Sequence, residues 1–188
     1  MRRVIFSMAM SLDGYVAPPD GSPDWAEPDA EVFRFVTDEL REVGAYLLGR
    51  RLYEVMSYWE TVDQNPSLDY STREFAALWR ALPKVVFSTT PPELRGNTRR
   101  AEGDVAQEIA RLRAVPGGDI AIGGPTLAAQ AAAHGLIDEY RIRLHPVTLG
   151  GGIPFFASHG REHLEPVETR AFDSGVVFLR YRVAHRTP

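Results

Sequence analysis

The chain has 188 residues, 44% of them hydrophobic and 24% charged, which fits one globular domain over residues 1–188. A formal net charge of -4 with scattered basic residues argues against a nucleic-acid or membrane partner, and no apolar run reaches the roughly 18 residues of a membrane span. The lack of cysteine excludes disulfides, thiol catalysis and cysteine-ligated zinc, and it favours a reducing compartment, so we expect a cytoplasmic protein.

The first half of the sequence alternates strands with helices. The apolar run "RVIFSMAM" predicts a buried strand, and a long loop rich in glycine, proline and aspartate follows it. Asp29 is a suitable N-cap for the amphipathic helix "AEVFRFVTDEL". The run "AYLLG" predicts a second strand, and a helix, "RRLYEVMSYW", begins directly after Gly49. The helix "TREFAALWRAL" precedes a third strand, "KVVFSTT".

The second half changes from this alternation to strands alone. The helix "DVAQEIARLRAV" leads to the strand "DIAIGG" and the helix "PTLAAQAAAHG", with Pro125 in its first turn and Gly135 at its end. The segments "DEYRIRLHPVTLG", "LEPVETRAF" and "VVFLRYRVAH" predict strands, the last two joined by a turn at 173–175. We therefore predict an α/β fold with a mostly parallel sheet and an antiparallel C-terminal hairpin.

Three of the predicted strands end in residues suited to holding a phosphate. In parallel sheets, ligands bind beyond the carboxyl ends of the strands, where backbone N–H groups at helix starts are free. The residues at these ends are Gly49, Arg50 and Arg51; Ser88, Thr89 and Thr90; and Gly123, Gly124 and Thr126. Each set alone is also typical of a tight turn or a helix cap, but their repetition at one sheet edge favours a dinucleotide site. Neither G-x-G-x-x-G nor the P-loop motif occurs.

Five segments together resemble the dihydrofolate-reductase-like superfamily, and most of all the reductase domain of the riboflavin-biosynthesis deaminase-reductase RibD and its stand-alone relatives. They are "MAMSLDGYVA", "LLGRRLYE", "VVFSTT", "IGGPTL" and "LHPVTLGGGIPFF". The resemblance implies a three-layer fold with helices on both faces of the sheet. It also implies an NADPH-dependent reductase that transfers a hydride to a small heteroaromatic or ribosylamino-pyrimidine acceptor, and a homodimer formed through the C-terminal strands.

The resemblance also assigns residues to the cofactor. The pyrophosphate and adenosine phosphate would contact Gly49, Arg50, Arg51 and Leu52; the ribose Ser88, Thr89 and Thr90; and the pyrophosphate turn would be Gly123, Gly124, Pro125, Thr126 and Leu127. Ala9 and Val16 would line the nicotinamide. Arginine and hydroxyl donors suit a 2′-phosphate, hence NADPH rather than NADH. In relatives the Gly-Gly bond is often cis, so we predict a cis bond between Gly123 and Gly124.

The chain departs from the family at the substrate. RibD proteins follow the G-R turn with an Asp-x-Pro-x-Leu-x-x-Arg string that engages a ribose phosphate, whereas this chain has "DQNPSLDYS", with Tyr70 and Ser71 near the expected arginine. Dihydrofolate reductases carry a carboxylate on the first helix; Asp29 and Glu31 are the candidates here, although acidic residues at a helix start are commonly caps. Dihydrofolate or pterin reduction therefore remains an alternative, as does a non-catalytic NADPH-binding module.

Polar and aromatic residues near the first loop are candidates for the acceptor site. Asp13 follows the first strand beside the expected nicotinamide, which suggests a catalytic or orienting role; it also suits a turn before Gly14. Tyr15, Trp25 and Trp59 are candidates to stack on a flat acceptor or to pack in the core. The five histidines are dispersed without metal-ligand spacing, so we predict no metal site and assign the histidines no role.

Overall fold

The computed structural model describes residues 1–62, 67–90, 92–157 and 160–184, which form ten strands and five α-helices. The strands are β1 (Val4–Ser11), β2 (Tyr15–Ala17), β3 (Val43–Gly49), β4 (Lys84–Phe87), β5 (Thr98–Arg100), β6 (Asp119–Gly123), β7 (Glu139–His145), β8 (Ile153–Pro154), β9 (Leu164–Ala171) and β10 (Val177–Val183). The helices are α1 (Ala30–Arg41), α2 (Arg50–Met56), α3 (Tyr70–Ala81), α4 (Val105–Arg113) and α5 (Pro125–Ala133). Short 3-10 turns occupy Asp24–Ala26 and Ser57–Glu60.

Eight of the strands form one sheet in the order β5-β4-β3-β6-β1-β7-β10-β9. The pairs from β5 to β7 are parallel, whereas β10 runs antiparallel to β7 and β9 antiparallel to β10. A small second sheet pairs β2 with β8. The predicted mostly parallel sheet with an antiparallel C-terminal hairpin is therefore confirmed.

Helices cover both faces of this sheet because its central strands are apolar on both sides. Neighbouring residues of a strand point to opposite faces. Leu47 of β3 packs in the cluster that includes α4 and α5 residues, whereas Leu48 packs in the cluster that includes Tyr53 of α2 and Trp79 of α3. The structure therefore has three layers, as the family resemblance implied.

The local signals predicted in the sequence form as expected. The Asp29 side chain caps α1 by accepting hydrogen bonds from the backbone N–H groups of Glu31 and Val32, at 2.7 and 2.9 Å. Pro125 is the first residue of α5, and Gly135 follows its end with a φ of 64°. Gly175 closes the turn between β9 and β10 with a φ of 84°.

The sequence prediction missed the three shortest strands and extended two others too far: the strand "KVVFSTT" ends at Phe87 as β4, and a later one also ends early. β2, β5 and β8 have two or three residues each, too few for a hydrophobic period to show. The strand predicted to run to Gly150 ends at His145, because Pro146 has no N–H for a ladder hydrogen bond. In the segment "DQNPSLDYS", residues 63–66 lie outside the described residues, while Tyr70 and Ser71 begin α3. Within the described ranges, no helix combines the length and apolarity needed to cross a bilayer.

Candidate functional site

The three predicted strand ends lie side by side in the structure. β4, β3 and β6 are neighbours, with Gly49 paired to Phe87 and Leu48 paired to Gly123. Helix α2 starts at the residue after Gly49, and α5 starts at the residue after Gly124. The turn residues of β3 and β6 consequently form one edge, as the sequence predicted.

The glycines at this edge are present for different physical reasons. A Cβ on Gly123 would lie 2.4 Å from Leu52 Cδ2 and 2.8 Å from Tyr46 Cε1, so this glycine allows the helix and sheet to pack closely. A Cβ on Gly49 would have only the Gly123 carbonyl oxygen near it, at 3.9 Å. Gly124 is similarly open, with its closest neighbour the Gly49 backbone nitrogen at 3.9 Å. Gly49 and Gly124 therefore leave open space above adjacent stretches of backbone.

The predicted cis peptide bond between Gly123 and Gly124 is wrong, since every bond between described residues is trans. Gly124 instead makes the turn through a φ of 99°, a conformation that residues with a Cβ rarely adopt. Its carbonyl accepts the Ala128 N–H at 3.0 Å as the helix begins. The exposed Thr126 lies in the first turn of α5, whereas the Leu127 side chain is buried in the core, so Leu127 has only its backbone to offer a ligand.

Basic and hydroxyl side chains surround the outer end of this edge. The Arg50 guanidinium hydrogen-bonds the Thr90 hydroxyl and pairs with Glu54 at 2.7 Å, so Arg50 is already partly neutralised. The exposed Arg51 makes no hydrogen bond or ion pair with the described residues. The Ser88 hydroxyl donates to the Thr90 carbonyl at 2.5 Å, and Thr89 is exposed beside it.

The sequence analysis missed Arg100 at this place. Arg100 ends β5, in register with Val86 of β4, and its guanidinium donates to the Ser88 carbonyl at 3.0 Å. A strand with no apolar residues gives no hydrophobic signal, so only the β4–β5 pairing places this arginine beside the hydroxyl residues.

Asp13 joins the first loop to the glycine-rich segment after β7. Its carboxylate accepts hydrogen bonds from the Leu149 N–H at 3.0 Å, the Gly150 N–H at 2.7 Å and the Ser11 hydroxyl at 2.6 Å. The Ser11 hydroxyl bond, followed by the Leu149 N–H, holds the pKa of Asp13 below its ordinary value. Consecutive N–H groups that converge on an anion form a nest, and Asp13 fills this one. The carboxylate is thus suited to positioning the loop.

The same two loops touch directly through backbone. The Phe155 N–H donates to the Gly14 carbonyl at 2.9 Å, and a Cβ on Gly152 would lie 2.0 Å from the Ala17 carbonyl oxygen. Gly152 is therefore required by close approach as well as by its φ of 127°. Ala9 and Val16, the residues assigned to the nicotinamide, lie in β1 and β2 on either side of this loop.

The three aromatic candidates for the acceptor occupy different surroundings. Trp25 lies in the first loop, with its ring centroid 5.5 Å from that of His145 at the end of β7. Tyr15 lies in β2 and pairs with Pro154 of β8. Trp59 packs between Phe33 of α1 and Phe75 of α3, at centroid distances of 6.0 and 4.4 Å. Of the three, Trp25 is the one with an aromatic contact at the end of β7 among the described residues.

Both carboxylates at the start of α1 already have partners within the chain. Asp29 accepts the helix N–H bonds and a hydrogen bond from Ser174, which lowers the pKa of its carboxyl group. Glu31 pairs with Arg170 at 2.8 Å. Asp29 thus serves as the helix cap that the sequence also suggested.

Comparison with known proteins agrees with this architecture. The family model described as the RibD C-terminal domain matches residues 2–178. The uncharacterized protein YyaP of Bacillus subtilis (strain 168) is 32% identical over 182 residues, which are 96% of this chain and 94% of YyaP.

Solved structures show the same fold at lower identity. A pyrimidine reductase-like protein from Corynebacterium diphtheriae has a TM-score of 0.67 at 14% identity, covering 98% of this chain and 93% of that one. A second match is the Thermotoga maritima diaminohydroxyphosphoribosylaminopyrimidine deaminase/5-amino-6-(5-phosphoribosylamino)uracil reductase. Its TM-score is 0.66 at 17% identity, and the match covers 97% of this chain and 57% of that one. Enterococcus faecalis dihydrofolate reductase complexed with NADP(H) gives 0.62 at 14%, covering 97% of both chains.

The family match covers residues 2–178, nearly the whole chain. The chain therefore belongs to the RibD C-terminal domain family.

Proposed function

We propose that this protein is a cytoplasmic NADPH-dependent reductase. The observation that carries the proposal is the open backbone at Gly49 and Gly124, which follow the paired residues Leu48 and Gly123 of neighbouring strands. A pyrophosphate needs N–H groups that it can approach closely, and the α5 start supplies them beside these two glycines. Family membership and the NADP(H) complex of the Enterococcus faecalis neighbour support the same cofactor.

The preference for NADPH would come from the outer end of the crevice. Arg51 is exposed and free of partners among the described residues, and Arg100 lies beside Ser88. A 2′-phosphate carries up to two negative charges, so it gains charge-assisted hydrogen bonds here that the plain hydroxyl of NADH lacks. Arg50, which is tied to Glu54, contributes less of its charge.

The nicotinamide would supply the hydride, while the chain holds the acceptor beside it and excludes water. We propose a pyrimidine of the 5-amino-6-(ribosylamino)uracil type as acceptor, because the chain belongs to the RibD C-terminal domain family and the Thermotoga neighbour is named for that reaction. Asp13 would orient the loops around the nicotinamide, and Trp25 would cover the acceptor. The paired state of Asp29 and Glu31 makes pterin reduction the weaker alternative.

Parallel titrations with NADPH and NADH test this proposal. Energy transfer from tryptophan to the nicotinamide should report tighter binding of NADPH in the wild type. Arg51→Gln should weaken NADPH about 10-fold or more and change NADH less than about 2-fold, because only NADPH carries the lost ionic contact. Arg182→Gln, a change at an exposed arginine of β10, is the matched control.

Each result has a defined meaning. If neither nucleotide binds the wild type, the glycines only shape turns and the reductase proposal fails. If NADPH binds tightly and no pyrimidine or pterin is ever reduced, the chain is a non-catalytic cofactor-binding module.

We also propose a homodimer through the C-terminal strands. Leu144, Val177, Leu179 and Tyr181 share one sheet face and are only half-buried, while Pro166 and charged residues make the β9 edge unsuitable for strand pairing. Face-to-face contact therefore fits better than edge-to-edge contact. Light scattering should give the mass of two chains for the wild type and of one for Leu179→Glu; the mass of one chain for the wild type would rule the dimer out.

A further inference from the structure

His145 lies beside the place where the proposed nicotinamide would meet its acceptor. It ends β7 in register with Ser11, the last residue of β1. Side chains alternate between faces along a strand, so His145 shares a face with Ser11, Arg143 and Ala9. Ala9 of the neighbouring strand β1 is the residue assigned to the nicotinamide. It is in register with Arg143, so His145 lies two residues further toward the carboxyl end of the sheet.

His145 is buried without a hydrogen-bond partner. His145 is only 6% exposed to solvent, yet its imidazole makes no hydrogen bond with the residues that the structure describes. The two arginines before it on this face do have side-chain partners: Arg141 donates to Glu139 at 2.7 Å, and Arg143 donates to the Ser7 hydroxyl at 2.8 Å. Polar groups in such buried side chains are nearly always paired, so this imidazole has a hydrogen bond to offer a ligand.

The polar atoms of this imidazole remain reachable. Trp79 Nε1 and Thr98 Oγ1 are fully enclosed and have no partner, whereas the unpaired ring nitrogens of His145 are not fully enclosed. The Trp25 ring packs edge-to-face against the imidazole at 71°. A molecule that enters between the first loop and the sheet would therefore meet a ring wall and a nitrogen with an unfilled hydrogen bond.

The surroundings favour the neutral form of the imidazole. Burial lowers the pKa of His145, and the Arg143 charge on the same strand lowers it further, while the Asp29 carboxylate at the start of α1 opposes both. A neutral imidazole has one donor and one acceptor nitrogen, so it pairs with either an N–H or a C=O group.

We propose that His145, with Trp25 against it, binds the acceptor through a hydrogen bond to the polar edge of a flat pyrimidinedione-type ring. This rests on the proposed function, because it places the ring next to the nicotinamide. His145 acts as the substrate contact that fixes the orientation of the ring, and Trp25 shields that hydrogen bond from water.

A ring-conserving variant tests the contact. His145→Phe keeps a flat ring against Trp25 and removes both nitrogens, while His134→Phe makes the same change at an exposed histidine just after α5. The probe is 5,6-diaminouracil, titrated by NMR or calorimetry with and without saturating NADP⁺. We expect His145→Phe to bind the probe about 10-fold more weakly, with NADPH affinity unchanged within about 2-fold. His134→Phe should match the wild type.

A measurement on the wild type removes dependence on the variant's stability. In protein with ¹⁵N-labelled histidine, the His145 ring nitrogens should shift when 5,6-diaminouracil is added, and those of His134 should not. The proposal is overturned if the probe binds His145→Phe as tightly as wild type, if the His145 signals stay fixed, or if wild type binds NADPH but not the probe. Probe binding that depends on His145 in a protein without NADPH affinity would sink the reductase proposal and leave this site standing.

Discussion

Replacing Gly49 by alanine separates a glycine kept for a ligand from one kept for the fold. Gly49 has φ −69° and ψ 150°, which any residue adopts, and its added Cβ would meet only the Gly123 carbonyl oxygen, at 3.9 Å. Alanine is a poorer N-cap than glycine, which destabilises the protein by roughly 1 kcal/mol or less. It also reduces the conformational entropy of the unfolded chain, which stabilises the folded protein by about 0.4–1 kcal/mol. The free energy of unfolding should therefore change by less than about 1 kcal/mol.

The cofactor should respond far more strongly than the fold. The new methyl group fills the space through which a pyrophosphate would approach the backbone, so at least one charge-assisted hydrogen bond would be lost. Such bonds contribute about 1.5–3 kcal/mol, so NADPH should bind about 10- to 100-fold more weakly. Tryptophan-to-nicotinamide energy transfer measures the affinity, and urea unfolding measures the stability of the same samples.

Two further glycine variants bracket the result. Gly160→Ala should change neither quantity, since a Cβ there meets nothing within 4 Å. Gly123→Ala should destabilise the protein, because its Cβ would lie 2.4 Å from Leu52 Cδ2. If Gly49→Ala leaves the unfolding midpoint and the NADPH affinity both unchanged, the open space above Gly49 does not receive a phosphate and the reasoning is refuted.

Two predictions concern carboxylates. Asp13→Asn should speed amide hydrogen exchange at Leu149 and Gly150 about 10-fold, because the asparagine side chain cannot accept from both N–H groups as the carboxylate does. Asp20→Asn is the control. Unchanged exchange in Asp13→Asn would contradict the loop-positioning role of Asp13. Asp69 caps α3, and hydrogen bonds from Ser71 and Thr72 lower its pKa from 3.8 to about 2. Because its folded-state pKa is depressed, the stabilisation that the Asp69 carboxylate gives is present above pH 3.8 and is lost as the pH falls toward 2. The urea unfolding midpoints of the wild type and Asp69→Asn should therefore converge between these pH values. A difference that stays constant would contradict the capping role of the Asp69 carboxylate.

The sequence predicted the centre of the sheet well because its strands are buried on both faces. β1, β3 and β6 lie between two helical layers, so their sequences are continuous apolar runs that need no knowledge of distant residues. The edge is different. The sequence of β5, "TRR", has no apolar residue, and its place depends wholly on backbone pairing with β4.

The candidate site divides in the same way. Gly49 and Gly124 end buried strands just before helices, so local sequence was enough to find them. Arg100 was missed because it reaches Ser88 only through strand pairing. His145 was given no role because its sequence neighbours do not show that Arg143 is satisfied and His145 is not. The lack of a partner is a property of the folded environment.

The same contrast explains why the glycine-rich segment 150–152 differs from the cofactor turns. Gly49 and Gly124 leave space that no atom of the described residues fills, whereas the Gly150 N–H group donates to Asp13 and Gly152 lies against the Ala17 carbonyl. A ligand can bind only where the backbone is open, as at Gly49 and Gly124. The second kind fixes the wall of the crevice, so substitutions there should alter how the acceptor is held, and substitutions at Gly49 should alter whether the cofactor is bound at all.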